Sequence, residues 1–202
     1  AVMPRHDVLV VVALADESAG LLEQAGAAVL YTGVGKVNAT YALTRRLVEY
    51  RAQGRTMPRV LNLGTAGSRV YPTGSLVACH RFIQRDMDAT ALCFAPGATP
   101  FDPTPAELIV DVQLPDLPAA LCSSGDSFLT GDHPLAGEVV EMEAFALARV
   151  CLAEGASFAC AKYVTDGIDA QSAGDWSGGL SAAAEALASV YRSFVAGSAL
   201  RR

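Results

Sequence analysis

Residues 139–146 read VVEMEAFA, with one carboxylate on each side of Met142 inside an otherwise apolar run. In an extended segment side chains alternate, so Glu141 and Glu143 would share one face while Met142 faces the other way. Residues 144–152 are strong helix formers, which places the pair where a strand or loop turns into a helix. Two interpretations stay open: two solvated glutamates at a helix N-terminus, or a buried acidic pair that binds a sugar diol or an activated water.

Around this segment, strand-like apolar runs alternate with helical patterns. Val8–Leu14 has the continuous apolar character of a strand buried on both faces of a mostly parallel sheet. This alternation predicts a single α/β domain over residues 1–202, with residues 94–118 mainly loop. The further predicted strands are Ala27–Thr32, Val60–Leu63, Ser75–Cys79, Arg81–Met87, Leu108–Val112, Ala119–Ser123 and Ala156–Val164, and the helices are Asp16–Gln24, Lys36–Gln53, Glu143–Glu154 and Ser181–Val195.

The composition narrows the classes of partner. A net charge of -6 leaves no basic stripe for nucleic-acid phosphates, and no apolar run reaches the roughly 18 residues that span a bilayer. The five cysteines lack metal-type CxxC pairing and the three histidines are scattered. We therefore expect a cytoplasmic protein with reduced cysteines, no bound metal, and neither nucleic acid nor membrane as a partner.

The segment Gly33–Asn38 (GVGKVN) follows a predicted strand and opens a predicted helix, so its backbone amides can bind an anion or a hydroxyl. It fails as a dinucleotide motif because Asn38 takes the third glycine position. It fails as a P-loop because Leu30 replaces the first glycine and Val37 replaces the serine or threonine that follows the lysine. A lone GxG is a weak signal, and a plain tight turn between strand and helix is the favoured alternative.

Two more strands run into small-residue loops, Asn62–Ser68 (NLGTAGS) and Ser123–Phe128 (SSGDSF). Small residues allow a ligand to approach the backbone, and Thr65 adds a hydroxyl. Phe128 either stacks on a planar ring or packs in the core.

Asp166 lies two residues after the predicted strand Ala156–Val164, at its carboxyl end. Ligands of open α/β sheets bind at the carboxyl ends of strands, so Asp166 is a candidate proton donor. A helix cap or turn aspartate is the alternative. The sequence has no GxSxG nucleophile motif.

Taken together, these segments resemble the purine nucleoside phosphorylase/uridine phosphorylase superfamily, and most closely its 5'-methylthioadenosine/S-adenosylhomocysteine nucleosidases. The similarity runs in order along nearly the whole chain. It implies a mixed, partly barrel-like central sheet flanked by helices, a homodimer or larger homo-oligomer, and cleavage of a purine nucleoside without a cofactor. The matching segments are GVGKVNAT (33–40), NLGTAGS (62–68), RDMDATAL (85–92), SGDSF (124–128), VVEMEAFALARVC (139–151) and KYVTDGIDAQ (162–171).

The resemblance also implies roles for individual residues. Asp166 would protonate or hydrogen-bond N7 of the leaving purine, Phe128 would stack on the base, and the Leu129 backbone would contact it. On the sugar side, Met142 would lie under the ribose and Glu143 would hold its hydroxyls. The water would be positioned by Glu141 with Thr65 beside it. Lys162 takes the substrate-site position where the family has an arginine.

Phosphorylases of this superfamily carry an arginine after the first strand and another before the glycine loop. Here the first loop reads ALADES (13–18) and the later position is Asn62, which favours hydrolysis. In the nucleosidases that this chain resembles, the last glutamate of an acidic run after the first strand activates water. The resemblance, counted from Leu21 and Leu22, places that role on Ser18, and Glu17 lies one residue earlier.

Compared with the family pattern, the stretch 94–118 is altered in the region that shapes the pocket for the substrate's 5' group. The identity of that group is therefore open, and futalosine-like nucleosides are candidates beside methylthioadenosine. A phosphate-dependent phosphorylase and a nucleoside-binding protein without turnover remain the alternatives to a nucleosidase.

Overall fold

A computed structural model describes residues 7–200, with the side chains of residues 7–197. Within the described residues, eight strands form one sheet. The strands that lie nearest the candidate site are apolar and buried, as expected for strands covered on both faces. Their bounds are β1 Val8–Val12, β2 Ala28–Tyr31, β3 Arg59–Gly67, β4 Leu76–Gln84, β5 Leu108–Ile109, β6 Ala119–Ser124, β7 Val139–Glu141 and β8 Phe158–Asp166.

Five of the strands close into a ring. Strand β3 pairs with β7, β7 with β6, β6 with β4, β4 with β8, and β8 returns to β3. Strands β1 and β2 extend the sheet from β3, and β5 extends it from β4. The closure between β3 and β7 consists of a single pair, Gly67 opposite Val140. The predicted mixed, partly barrel-like sheet is confirmed.

In the part of the chain that the structure describes, four α-helices cover the sheet: α1 Leu21–Gln24, α2 Lys36–Ala52, α3 Ala144–Glu154 and α4 Ser172–Leu200. One apolar core packs α2 and α3 against one side of the sheet, and a second packs α4 against the other. Helix α3 is followed by Gly155, whose φ of 73° is the left-handed conformation that closes a helix.

Four of the differences between the predicted elements and the structure are large. The loop expected at Gly64–Gly67 continues β3, because β8 pairs with this strand as far as Gly67. The two extended segments expected at 75–79 and 81–87 form the single strand β4. The expected helix Asp16–Gln24 is a 3₁₀ turn at Ala15–Glu17 followed by α1, with Gly20 at a φ of 74° between them. Helix α4 begins nine residues before the predicted Ser181, since packing overrides the low helix propensity of its glycines.

Within residues 7–200, no helix combines the length and apolar character needed to cross a membrane. The same range contains no cluster of three or more histidine, cysteine or acidic side chains that could hold a metal ion.

Candidate active site

A cavity of about 200 Å³ lies where the ring closes, beside the single pair between β3 and β7. The ends of β3, β7 and β8, the segments after β1 and β6, and the start of α4 all contribute to its wall. Eight of the nine residues predicted from the sequence line it, and Lys162 does not. Those eight are Glu17, Thr65, Phe128, Leu129, Glu141, Met142, Glu143 and Asp166.

The two glutamates of the opening segment are both buried, with 7% of Glu141 and 9% of Glu143 exposed. The interpretation as solvated glutamates is therefore wrong. Strict alternation is wrong as well, because Met142 lines the same cavity as its two neighbours. Strand β7 ends at Glu141 and the chain bends through residues 142–143 before α3 begins.

Glu141 has a full set of hydrogen-bond donors. The backbone amides of Glu143 and Ala144 donate to its carboxylate at 2.9 and 2.8 Å, the Ser124 hydroxyl donates as well, and Lys162 Nζ lies 3.2 Å from Oε2. Burial alone would raise the pKa of Glu141. The charge of Lys162 and these hydrogen bonds outweigh burial and hold the pKa below its usual value. Glu141 is thus an ionised anchor at the start of α3.

Glu143 has fewer partners and a different charge state. The backbone amide of Gly35 donates to Oε2 at 2.9 Å, so the glycine turn before α2 binds a carboxylate of the protein itself. Gly35 has a φ of 97°, a conformation that favours glycine. Burial, followed by the charge of Glu141, raises the pKa of Glu143 to about 8. Two adjacent carboxylates therefore differ in protonation near neutral pH.

Lys162 lies behind the cavity wall, although the resemblance predicts it as a substrate-binding residue. Its side chain is buried and its Nζ contacts Glu141. Burial alone would lower the pKa of Lys162, but the charge of Glu141 raises it well above its usual value. A Cβ placed on Gly64 would lie 3.1 Å from Lys162 Nζ and 3.3 Å from Glu17 Oε2, so this glycine leaves room for both charged groups.

The structure separates Glu17 from Ser18. Glu17 lines the cavity, and its Oε2 accepts hydrogen bonds from the Thr65 amide at 2.9 Å and the Thr65 hydroxyl at 2.8 Å. Its Oε1 accepts a third from the Leu14 amide at 3.2 Å. Ser18 is buried away from this wall, with its hydroxyl 2.7 Å from that of Tyr31. The acidic side chain at the cavity is therefore Glu17.

Asp166 closes the cavity at the end of β8 and is 3% exposed. Its Oδ1 accepts from the Ile168 amide and its Oδ2 from the Thr165 hydroxyl, each at 3.0 Å. Asp166 is not a helix cap, since α4 begins at Ser172. A Cβ on Gly67 would lie 2.7 Å from Oδ1, so the absence of a side chain there admits the carboxylate.

Phe128 is 46% exposed and lines the cavity, which contradicts the alternative of core packing. Its ring presents an accessible aromatic surface on the same cavity as the Asp166 carboxylate. Such an arrangement is suited to a planar ring with a nitrogen at its edge.

Of the charged and aromatic side chains that line the cavity within the described residues, the sequence did not single out two. Trp176, in the first turns of α4, donates from Nε1 to the Thr65 hydroxyl at 3.0 Å. The signal available was that it is the single tryptophan of the chain. Arg85 is buried, and its two Nη atoms donate to the carbonyls of Ser123, Gly125, Ser127 and Glu141. The signal available for Arg85 was its place at the start of the matching segment RDMDATAL (85–92).

A mixed sheet with a partial barrel and a small-molecule cavity at its closure defines a nucleoside phosphorylase-like α/β protein. A family model described as the phosphorylase superfamily matches residues 15–196. The chain belongs to the phosphorylase superfamily.

Curated relatives with similar sequences are named 5'-methylthioadenosine/S-adenosylhomocysteine nucleosidase. The protein from Geobacillus thermodenitrificans is 33% identical over 179 residues, covering 78% of this chain and 73% of the relative. The protein from Actinobacillus succinogenes is 33% identical over 172 residues, covering 75% and 70%.

Solved structures share the fold. The nucleosidase of the same name from Neisseria meningitidis, in complex with methylthio-immucillin-A, has a TM-score of 0.79 at 25% identity and covers 94% of this chain and 98% of its own. The futalosine hydrolase of Helicobacter pylori has a TM-score of 0.83 at 21% identity and covers 95% and 98%. The similarity therefore extends over nearly the whole chain.

Proposed function

We propose that the protein is a nucleosidase that hydrolyses the N-glycosidic bond of a purine nucleoside with a modified 5' group and releases the free base. The observation that carries the proposal is the Glu17 carboxylate, held by three donors on the wall of the cavity that Asp166 also lines. A carboxylate on one wall can accept a proton from water while an acid on another assists the departure of the base. The relatives' names support this class of reaction.

The cationic side chains at the cavity support water rather than phosphate as the nucleophile. Among the described residues that line the cavity, Arg85 is the single cation, and both of its Nη atoms donate to backbone carbonyls. Lys162 is paired with Glu141 behind the wall. Phosphate would therefore meet Glu17 and Glu141 without an available guanidinium fork, which disfavours an anionic co-substrate.

On the base side, we assign Asp166 to N7 of the purine, Phe128 to stacking on the ring and the Leu129 backbone to its edge. When the C–N bond breaks, negative charge develops on the base, and a hydrogen bond or proton from Asp166 stabilises it. The cavity wall around Asp166 includes Ala66, whose small side chain leaves space for the ring.

On the sugar side, Met142 lies under the ribose and Glu143 holds its hydroxyls. Positive charge develops on the ribose in the transition state, and the nearby carboxylates stabilise it. Glu17, with Thr65, orients the attacking water. Glu141 assists indirectly: it fixes the start of α3, and with it Glu143, and it holds the ammonium of Lys162.

The test is a panel of purine nucleosides incubated with the pure protein in phosphate-free buffer, with free base measured by chromatography. The panel varies the 5' group among methylthio, homocysteinyl-thio, futalosine-type and hydroxyl. We expect base release from at least one 5'-modified member and less from the 5'-hydroxyl nucleoside. Release from none of them would refute the proposal, and tight binding without turnover would favour the nucleoside-binding alternative.

We further propose that the protein acts in the cytoplasm as a homodimer. Four of its five free cysteines are buried, in keeping with a reducing compartment. Val37 and Tyr41 are 79% and 68% exposed at the start of α2, next to the turn that contacts Glu143, and an apolar surface there suits contact with a second copy. Light scattering of the purified protein measures the assembly size.

A further inference from the structure

Trp176 is the starting point, because it lines the cavity and makes a hydrogen bond that the assigned roles do not use. It lies near the start of α4, and the residues immediately before and after it, Asp175 and Ser177, are exposed. Its indole Nε1 lies 3.0 Å from the hydroxyl oxygen of Thr65, 111 positions earlier in the chain. The contact therefore joins α4 directly to the end of β3.

The chemistry of the three groups gives this contact a direction. An indole N–H only donates, so the Thr65 oxygen must accept from Trp176. The single hydroxyl proton of Thr65 then remains for Glu17 Oε2, 2.8 Å away. The Thr65 backbone amide donates to the same carboxylate oxygen at 2.9 Å. Donation thus runs one way, from Trp176 to Thr65 to Glu17.

A threonine hydroxyl without that partner can rotate and can donate its proton elsewhere, including to a water molecule in the cavity. If it did so, Glu17 would lose one of its three donors and the water would face a competing donor. By occupying the acceptor side of the hydroxyl, the indole keeps the proton on Glu17. The Glu17 carboxylate, which is to accept the proton from water, is thereby held in one orientation on the cavity wall.

We propose that Trp176 is a positioning residue for the hydrolysis, acting through Thr65 to orient the Glu17 carboxylate. The inference rests on the proposed function, because it concerns the group that activates water. It assigns Trp176 a role in the rate of the chemical step and a smaller one in nucleoside affinity.

The first variant is Trp176→Phe, which keeps an aromatic ring against the cavity and removes the donor. The variant loses the hydrogen bond to the Thr65 hydroxyl, which orients Glu17. We therefore expect kcat to fall about 5- to 10-fold and KM to change less than about 2-fold. Ser177→Ala is the matched control, since this exposed neighbour bonds only within α4 and its substitution is expected to leave kcat unchanged.

A double-mutant cycle with Thr65→Val separates action through Thr65 from direct contact with substrate. Once the hydroxyl is absent, Trp176→Phe has nothing left to orient, so the double variant should be no slower than Thr65→Val alone. Multiplicative losses in the double variant, an unchanged kcat in Trp176→Phe, or an effect confined to KM would each overturn the inference. A fall in kcat for Ser177→Ala of the same size would reduce the effect to damage of α4 and overturn it as well.

Tryptophan fluorescence gives a readout that does not depend on turnover. Because Trp176 is the only tryptophan, the emission of the native protein reports this one indole. Thr65→Val should shift the emission maximum, and an unchanged spectrum would contradict the hydrogen bond. Absence of turnover in the wild-type protein would refute the proposed function and the positioning role together, whereas normal turnover in Trp176→Phe would refute the positioning role alone.

Discussion

Replacing Lys162 by Met tests the electrostatic basis of the site, because Met has a similar volume and removes only the ammonium. Both side chains of the Lys162–Glu141 pair are 2% exposed, with 3.2 Å between Nζ and Oε2. Removing one partner of a buried pair typically costs about 3–5 kcal/mol, because the other charge is left uncompensated. Three donor groups remain on Glu141 after the change, from Ser124, Glu143 and Ala144, so we expect the lower end, about 3 kcal/mol.

Urea denaturation followed by circular dichroism measures this loss, and thermal unfolding should show a fall in Tm of about 6–12 °C for a chain of this size. Arg81→Met is the matched control. Its Nη2 lies 2.7 Å from Glu107, but the two side chains are 43% and 34% exposed, so the loss should stay below about 1 kcal/mol.

The double variant Glu141→Gln with Lys162→Met adds a second criterion. It removes both charges, so its loss should be smaller than the sum of the two single losses by about 1–3 kcal/mol. A loss for Lys162→Met no larger than that of Arg81→Met, or strictly additive losses in the double variant, would refute the reasoning.

Four further predictions concern residues of the cavity. The pKa of about 8 for Glu143 predicts that kcat/KM rises with pH through this range as the carboxylate that holds the ribose ionises; Glu143→Gln should flatten that rise in a pH–rate profile. The same raised pKa means that the folded state binds the extra proton between about pH 4.5 and 8, so Glu143 makes stability fall as pH rises there, which urea titrations at several pH values measure. Asp166→Asn should lower turnover by at least about 100-fold while circular dichroism stays native, because an amide oxygen can still accept from Ile168; near-normal turnover would exclude Asp166 as the acid. Gly67→Ala should abolish most turnover because its Cβ would lie 2.7 Å from Asp166 Oδ1, whereas Gly178→Ala, with open space at its Cβ in α4, should raise stability by up to about 1 kcal/mol and leave turnover unchanged.

The sequence predicted the elements of the fold better than their ends. Local apolar patterns encode the strand Val8–Val12 and the helix Lys36–Ala52, and both appear nearly as predicted. The extension of β3 through Gly67 depends on its pairing with β8, a partner about a hundred residues away, and no local pattern encodes it. Helix α4 begins early for the same reason, since its packing against β8 compensates for its glycines.

The sequence allowed the types of residue at the site to be predicted, but not which of them line the cavity or contact one another. Glu17 and Ser18 are adjacent in sequence, and only the 3₁₀ turn at Ala15–Glu17 decides which of them lies at the cavity. The glycine turn before α2 was a candidate for an external anion, yet its Gly35 amide binds Glu143. Trp176 contacts Thr65 across 111 positions, so it carried no local signal of function.

The most direct test of the account is the identity of the sugar product. Wild-type protein, a 5'-modified purine nucleoside that it cleaves, and buffer with or without phosphate are compared, with the products resolved by mass spectrometry. Water as the nucleophile predicts free base and free sugar at the same rate in both buffers. Base release that requires phosphate and yields the sugar 1-phosphate would contradict it.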